Sequence, residues 1–215
     1  AAAAALVVAG PALGQSDDPD IIQFTQPAQG NRAQTWTPQA MEGATQVELP
    51  SVNPDAVRAA AQRLRANRQS QPADPGGTPQ ADAAPAQKGG ERVSGNVQGR
   101  PLYWAGKLFF RKPDGGYVCS GQFISERVVL TAAHCGRDSD TGNWYDDVVF
   151  ALQYDKGNYS QAYETECFAT LSGWVSQDES KWTYDFATIL VDAPSKTGWF
   201  GTAWNWAGSY SDVTK

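Results

Sequence analysis

The chain has 215 residues and a formal net charge of −6 at pH 7, which argues against nucleic acid as its main partner because phosphate binding needs a basic surface. It contains no apolar run of the ~18 residues that a membrane-spanning helix requires. Of its 24 aromatic residues 22 follow Arg100, whereas 10 of its 13 prolines precede that residue. The part after Arg100 therefore has the composition of a folded domain, and the first hundred residues do not.

The first fourteen residues are small or apolar and carry no charge. They match the apolar segment of a secretory signal peptide, and Ala12 and Gly14 match its small-residue cleavage motif, but the basic segment is missing. We interpret residues 1–14 as a signal-peptide remnant, with a low-complexity alanine tract as the alternative. A secreted or periplasmic protein is expected.

Residues 15–98 are rich in Pro, Gln, Ala and Gly and offer little apolar surface to bury. One short helix is predicted near residues 54–68, where Asn53 provides a cap and Pro54 the first helical position. The stretch 71–90 has the composition of a flexible linker. We predict a largely disordered segment that contains this one helix.

After residue 99 the pattern changes to short β-type runs separated by turn residues. The candidate strands are 105–111, 117–125, 127–131, 148–154, 166–175 and 186–191. Because no convincing helix lies between them, they predict an all-β domain, either an antiparallel barrel or a sandwich.

The segment from Cys119 to Cys135 is the most informative and ends in Thr-Ala-Ala-His-Cys. One cysteine lies on a predicted strand and the other just after another strand, so a bridge between them would pin the chain that holds His134. His134 is the only histidine, and an imidazole with an ordinary pKa of about 6.5 suits proton transfer at neutral pH.

This segment resembles the histidine region of trypsin-like (chymotrypsin-fold) serine proteases. Fifty-one residues later, Tyr-Asp-Phe-Ala-Thr-Ile-Leu around Asp185 resembles the aspartate motif of the same family. The similarity runs from about residue 99 to residue 206 and is greatest with the bacterial branch that includes glutamyl endopeptidases. It implies a protease domain at residues 99–215 that holds the first six-stranded antiparallel β-barrel of a two-barrel fold.

The resemblance also implies a role for each motif residue. His134 is expected to act as the general base toward a serine hydroxyl, and Asp185 to hold the imidazole in the correct tautomer. A disulfide is expected between Cys119 and Cys135. The full-length protein would be a monomer that cleaves polypeptides through an acyl-enzyme, with no cofactor and no metal ion.

The nucleophile is the point at which the sequence departs from the family. The Ser-Gly pairs at Ser94, Ser120 and Ser172 all lack the Gly-Asp-Ser-Gly-Gly context of the catalytic serine. We therefore expect this chain to be an inactive fragment of a serine endopeptidase. Residues 15–98 would then be a propeptide.

Several assignments stay open from the sequence. Asp192 is a weaker rival to Asp185, and Cys167 either pairs with a cysteine outside the chain or is a free thiol. The acidic loop after Asp138 lacks the spacing of an EF-hand and is interpreted as solvated.

Two other classes of protein also stay open. One is a non-catalytic trypsin-like homologue that acts as a secreted binding module, and the other is a secreted β-sandwich adhesin. A hydrogen bond between His134 and Asp185, together with the disulfide, would argue against the adhesin.

Overall fold

The computed structural model describes residues 20–26, 30–47, 97–99 and 102–201, together with Asp55, Arg58, Ala59, Gln62 and Arg63. In chain order its helices and strands are β1 (Ile21–Thr25), α1 (Arg32–Thr35), α2 (Pro38–Glu42), β2 (Thr45–Gln46), β3 (Ala105–Lys112), β4 (Gly115–Phe123), β5 (Val128–Thr131), β6 (Asp146–Leu152), β7 (Gln161–Leu171) and β8 (Ala187–Val191). Short 3₁₀ turns lie at Leu102–Trp104, Ala133–Cys135, Ser172–Trp174 and Glu179–Tyr184.

Strands β3 to β8 form a closed antiparallel barrel. The order of pairing is β7–β6–β3–β4–β5–β8, and β8 pairs back onto β7. This last pairing closes the sheet, so the architecture is a barrel and not a sandwich. The six strands predicted from the sequence are confirmed, with the largest shift at β7, which was expected over 166–175.

Tight turns join neighbouring strands where the sequence has turn residues. Lys112 pairs with Gly115, so two residues connect β3 to β4. Between β6 and β7, Lys156 and Gly157 have positive φ angles of 46° and 80°. Positive φ at both central residues is what a two-residue hairpin turn of this hand requires, and glycine adopts it without strain.

The barrel interior is filled by alternate residues of the strands, as the two-residue period of a β-strand dictates. On β3 and β6 the inward residues are Leu108, Phe110, Val148, Phe150 and Leu152. The residues between them, Phe109, Val149 and Ala151, are just as buried but form a second cluster with Trp36 and Met41. Apolar side chains therefore occupy both faces of these two strands.

The N-terminal segment, defined as residues 20–26 and 30–47, covers that second cluster. The composition of residues 15–98 predicts little apolar surface to bury, and the few apolar side chains of this segment nevertheless pack on the barrel. β1 pairs with β7 over five residues, from Ile21 opposite Leu171 to Thr25 opposite Cys167, and Trp36 is only 1% exposed. Composition alone is a poor guide here because a few apolar side chains are enough to hold a segment on the barrel when the barrel surface beneath them is itself apolar.

Five residues of the helix predicted near 54–68 are described, and all five are helical and exposed. Residues 1–14 and the linker predicted at 71–90 lie outside the described residues, and the domain boundaries stay predictions. Among the described residues, no helix is long and apolar enough to cross a membrane.

Candidate active site

Two strand ends bring His134 and Asp185 together across 51 residues of sequence. Thr131, the last residue of β5, pairs with Ala187, the first residue of β8. Because the two strands are antiparallel, the chain leaves β5 at the same end of the barrel at which it enters β8. His134 follows β5 in the turn Ala133–Cys135, and Asp185 lies just before β8.

The carboxylate of Asp185 accepts two hydrogen bonds from His134. The backbone N–H donates to Oδ1 at 2.9 Å, and the ring Nδ1 lies 2.7 Å from Oδ2. A carboxylate only accepts, so Nδ1 is assigned as the donor, and in this tautomer of the neutral imidazole Nε2 keeps its lone pair. The side chains are 17% and 15% exposed. The pair is therefore largely shielded from bulk water, but a small part of each side chain remains exposed at the surface.

A disulfide fixes the turn that carries His134. Cys119 of β4 and Cys135 are bonded, with their Cα atoms 6.0 Å apart, as the resemblance implied. On the neighbouring strand β5, the Thr131 hydroxyl donates to the carbonyl of Ser120 on β4 at 2.8 Å. The imidazole is thus attached to β4 through a covalent bond on one side of the turn and a hydrogen bond on the other.

Close packing under the same turn depends on Gly136. A Cβ atom built on Gly136 would lie 2.0 Å from Cζ of Phe168, which is buried in the barrel core. A larger side chain would displace either the aromatic ring or the turn that carries His134. The sequence analysis did not single out this glycine, although it directly follows the cysteine of the motif.

Strand β7 and the turn after it support the pair from a third direction. The Thr170 hydroxyl donates to the carbonyl of Phe186, next to Asp185, at 3.1 Å. The indole of Trp174 donates to the Arg137 carbonyl at 2.8 Å, and its ring centre lies 6.5 Å from that of the His134 imidazole. The sequence analysis missed Thr170 and Trp174 because neither belongs to a motif and only the folded barrel brings them here.

Asp192, the rival aspartate, lies at the opposite end of β8 from the pair. Its Oδ1 accepts a hydrogen bond from the backbone N–H of Glu164 at 3.0 Å, and burial raises the pKa of its carboxyl group. Cys167 is a buried free thiol in the described part of the chain, and burial raises its pKa too.

The acidic loop is organised by its own hydrogen bonds. The Asp138 carboxylate accepts from the backbone N–H groups of Asp140 and Thr141 and from the Thr141 hydroxyl, at 3.1, 2.7 and 2.8 Å. Partial burial raises the pKa of Asp138, but these donors outweigh burial and the net pKa is lowered. The neighbouring Asp140 pairs with Lys181 at 2.7 Å.

Three potential metal ligands lie close together among the described residues. Atoms of Cys119, His134 and Cys135 are within 4.8 Å of one another. The two sulfur atoms are bonded to each other, however, so neither is a thiolate that binds a metal ion. The imidazole is the remaining donor, and this group does not fit a metal site.

The closed six-stranded antiparallel barrel is that of the trypsin-like fold, and a hydrogen-bonded histidine and aspartate lie at one end of it. The chain belongs to the trypsin family, because the family model described as Trypsin matches residues 92–213.

Several individual proteins are similar to the chain. A curated relative, the "Extracellular metalloprotease" of Bacillus subtilis (strain 168), is 28% identical over 88 residues, which are 40% of this chain and 27% of that protein. The serine protease AL20 from an extremophilic microorganism is 26% identical with a TM-score of 0.36, covering 41% of this chain and 42% of the other.

Two further solved structures are more distant in sequence. The protease Anisep from Arthrobacter nicotinovorans is 22% identical with a TM-score of 0.41, covering 48% of this chain and 51% of the other. A Glu endopeptidase, solved in complex with MPD, is 18% identical with a TM-score of 0.39, covering 50% and 49%. The chain thus spans about a quarter of the curated relative and between two-fifths and a half of these solved chains.

Proposed function

We propose that the protein containing this chain is a serine endopeptidase that hydrolyses peptide bonds of polypeptide substrates. The observation that carries this proposal is the 2.7 Å contact between Nδ1 of His134 and Asp185, at one end of the barrel. Membership of the trypsin family supports the same class of reaction.

The proposed mechanism uses the free lone pair on Nε2 of His134. Nε2 takes the proton of a serine hydroxyl while the serine oxygen attacks the carbonyl carbon of the scissile bond. Asp185 stabilises the imidazolium that results, and the imidazolium then gives the proton to the departing amine. Water hydrolyses the acyl-enzyme in a second round, with His134 again as the base.

We propose that the nucleophilic serine lies outside this chain and that the chain alone is inactive. Within the described residues, no serine hydroxyl is hydrogen-bonded to the His134 ring. Ser120 lies on β4, where its hydroxyl accepts from Lys107 Nζ at 3.0 Å, and Ser172 begins the turn after β7. Ser94 lies outside the described residues.

The same proposal includes export, with residues 1–14 as the remnant of a signal and residues 15–98 as a precursor segment. The disulfide between Cys119 and Cys135 supports it, because disulfides persist in oxidising compartments. The word "Extracellular" in the name of the Bacillus subtilis relative points the same way.

The name of that relative also raises a metal-dependent mechanism. The only group of three potential ligands in the described part of the chain contains the two disulfide sulfurs. For this reason the proposal assigns His134 to proton transfer and not to metal binding, and the experiment below includes a chelator.

The test is a comparison of variants in the full-length protein that contains this chain. Hydrolysis of a general protein substrate and labelling by a serine-directed fluorophosphonate are measured before and after treatment with EDTA. The His134→Ala variant is expected to lose about 10⁴- to 10⁶-fold in kcat and to resist labelling. The matched control Asp192→Asn keeps its acceptor oxygen and is expected to remain active.

Three outcomes would contradict the proposal. Full proteolysis by His134→Ala would remove this residue from the mechanism. Loss of activity with EDTA, in a protein that the fluorophosphonate does not label, would favour a metalloprotease. A folded protein that neither cleaves nor is labelled would favour the non-catalytic binding module.

A further inference from the structure

We propose that the outer face of the barrel is a docking surface for the N-terminal segment, which stays bound non-covalently after the chain is cut between residues 47 and 97. The inference rests on the proposed function only in treating this region as a processed precursor segment. The experiment below measures association and thiol reactivity, so its failure is distinguishable from a failure to find peptidase activity.

The barrel surface beneath the segment is apolar. Phe109 of β3 and Val149 and Ala151 of β6 point away from the barrel interior, yet each is 0% exposed. A strand with one face in water normally alternates apolar and polar residues, whereas these strands are apolar on both faces. Without Trp36 and Met41 above them, these residues would form an apolar patch in water.

Trp36 packs closely against the barrel. Its indole Nε1 donates to the Asp147 carbonyl at 2.7 Å, and the Arg111 guanidinium lies 4.7 Å from the ring centre. A Cβ atom built on Gly116 would lie 2.9 Å from Cη2 of Trp36. Strand β4 therefore approaches the indole at a distance that only glycine permits.

The segment also makes a set of polar contacts with β7. The Arg32 side chain is buried, with 3% exposed, and donates to the Thr165 carbonyl at 2.9 Å. The backbone N–H of Ala33 donates to the Glu164 side chain at 3.3 Å, and that of Gln26 to the Glu166 carbonyl at 2.9 Å. If the segment left, water would have to replace it as the hydrogen-bond donor to these acceptors on β7.

The segment does not have to leave for the candidate active site to be uncovered. Its hydrogen-bonding partners lie on β3, β4, β6 and β7, in the loop before β6 and at Ser172, the first residue of the turn after β7. Within the described residues, none of its hydrogen bonds or ring contacts reaches His134 or Asp185. Retention of the segment is therefore compatible with the chemistry proposed for this pair.

Cys167 provides a reporter for the docked state. Thr25 of β1 lies opposite Cys167, and although burial raises the pKa of the thiol, the Phe24 backbone and the Thr25 side chain act to lower it. The thiol is 8% exposed. Because the other two cysteines of the chain form the disulfide, a thiol reagent reports on this residue alone.

The experiment introduces a recognition site for a specific protease within residues 71–90 of the 215-residue chain and cuts it there. The cut protein is passed over gel filtration at micromolar concentration, and Cys167 is labelled with a chromogenic disulfide reagent. We expect both pieces to elute together and the thiol to react as slowly as in the uncut chain. Separate elution, or labelling more than about tenfold faster, overturns the proposal.

Two variants of the cut protein identify the surface responsible. Arg32→Ala and Trp36→Ala each remove one set of contacts, and both are expected to release the segment and accelerate labelling of Cys167 at least about tenfold. The matched control is Arg58→Ala, at an exposed arginine, which is expected to change neither. Circular dichroism of the uncut variants shows that the barrel itself is folded. Co-elution that survives both substitutions overturns the assignment of this surface.

Discussion

Strand β7 serves two different parts of the molecule. The Thr170 hydroxyl and the turn that follows β7 support the histidine–aspartate pair through a few directional hydrogen bonds. Along β7 from Glu164 to Leu171, and across β3 and β6, the N-terminal segment is held by strand pairing, a broad apolar cluster and a buried arginine. The candidate site therefore depends on the directions of a few hydrogen bonds, whereas the N-terminal segment depends on a large contact area.

This difference implies that activity and stability are separable in this protein. A hydrogen bond at the candidate site contributes little to the free energy of unfolding but decides which ring nitrogen carries the proton. A buried tryptophan on the outer face contributes several kilocalories per mole to stability and touches no reacting atom. Substitutions in the two regions test this separation.

The largest effect is expected for Asp185→Asn in the full-length protein. The asparagine keeps the shape of the side chain but favours the wrong tautomer of His134, so kcat should fall about 10⁴-fold. The midpoint of chemical unfolding should hardly change. A loss of activity accompanied by an equal loss of stability would show that Asp185 acts chiefly in folding.

Trp36→Ala should lower stability and leave activity unchanged. Removing a fully buried indole typically costs about 3–5 kcal/mol of unfolding free energy, whereas kcat per folded molecule should stay constant. The matched control is Trp199→Ala, because Trp199 is 48% exposed and its loss should cost less than about 0.5 kcal/mol. Urea denaturation followed by circular dichroism measures the free energy of unfolding of both variants. Equal losses in the two variants would contradict a stabilising contact between Trp36 and the outer face of the barrel.

The Cys119→Ala/Cys135→Ala double variant is expected to lower both stability and activity. Opening a loop with a sequence separation of 16 residues should lower the free energy of unfolding by about 3 kcal/mol, since the unfolded chain gains conformational freedom. It also frees the turn that holds His134, so kcat should decrease even in molecules that remain folded. Unchanged activity at unchanged substrate affinity would show that β5 alone positions the histidine.

The smallest effect is expected at Asp138, outside both regions. Its pKa is lower in the folded state than in the unfolded chain, so its ionised form stabilises the fold above the unfolded pKa of about 3.9, and this contribution disappears as the pH falls through the folded pKa. Asp138→Asn should therefore cost less than about 1 kcal/mol at pH 7. The difference from the unsubstituted chain should vanish in acid denaturation at low pH, and a constant difference at every pH would contradict this origin.

Much of the barrel was predictable from local patterns. Alternating apolar runs and the glycine-containing turns at Pro113–Gly116 and Lys156–Gly157 gave six strands, because strand period and turn chemistry are properties of short stretches of sequence. The candidate site was predictable for a different reason, namely that the motifs around His134 and Asp185 resemble those of one family. Neither kind of signal reaches Thr170, Trp174 or Gly136, which matter through neighbours distant in sequence.

The N-terminal segment shows where the reasoning from composition fails. One tryptophan and one methionine in a polar stretch do not predict a docked element. The relevant signal lay elsewhere, in the uninterrupted apolar residues around Phe109 and Val149, which required a cover for the outer face of the barrel. The apolar outer face of the barrel and the N-terminal segment are complementary, and their contact becomes evident only when the two are considered together.

By itself the sequence determined the β-strands, the turns and which side chains have the chemistry to transfer a proton, because these depend on local conformational preferences and on side-chain chemistry. The tertiary structure decided what lies beside what. The register of β5 and β8 places Asp185 against His134, and the pairing of β1 with β7 converts a stretch of ordinary composition into part of the folded unit. Contacts between distant residues depend on how all the strands pack at once, and no short stretch of sequence contains that information.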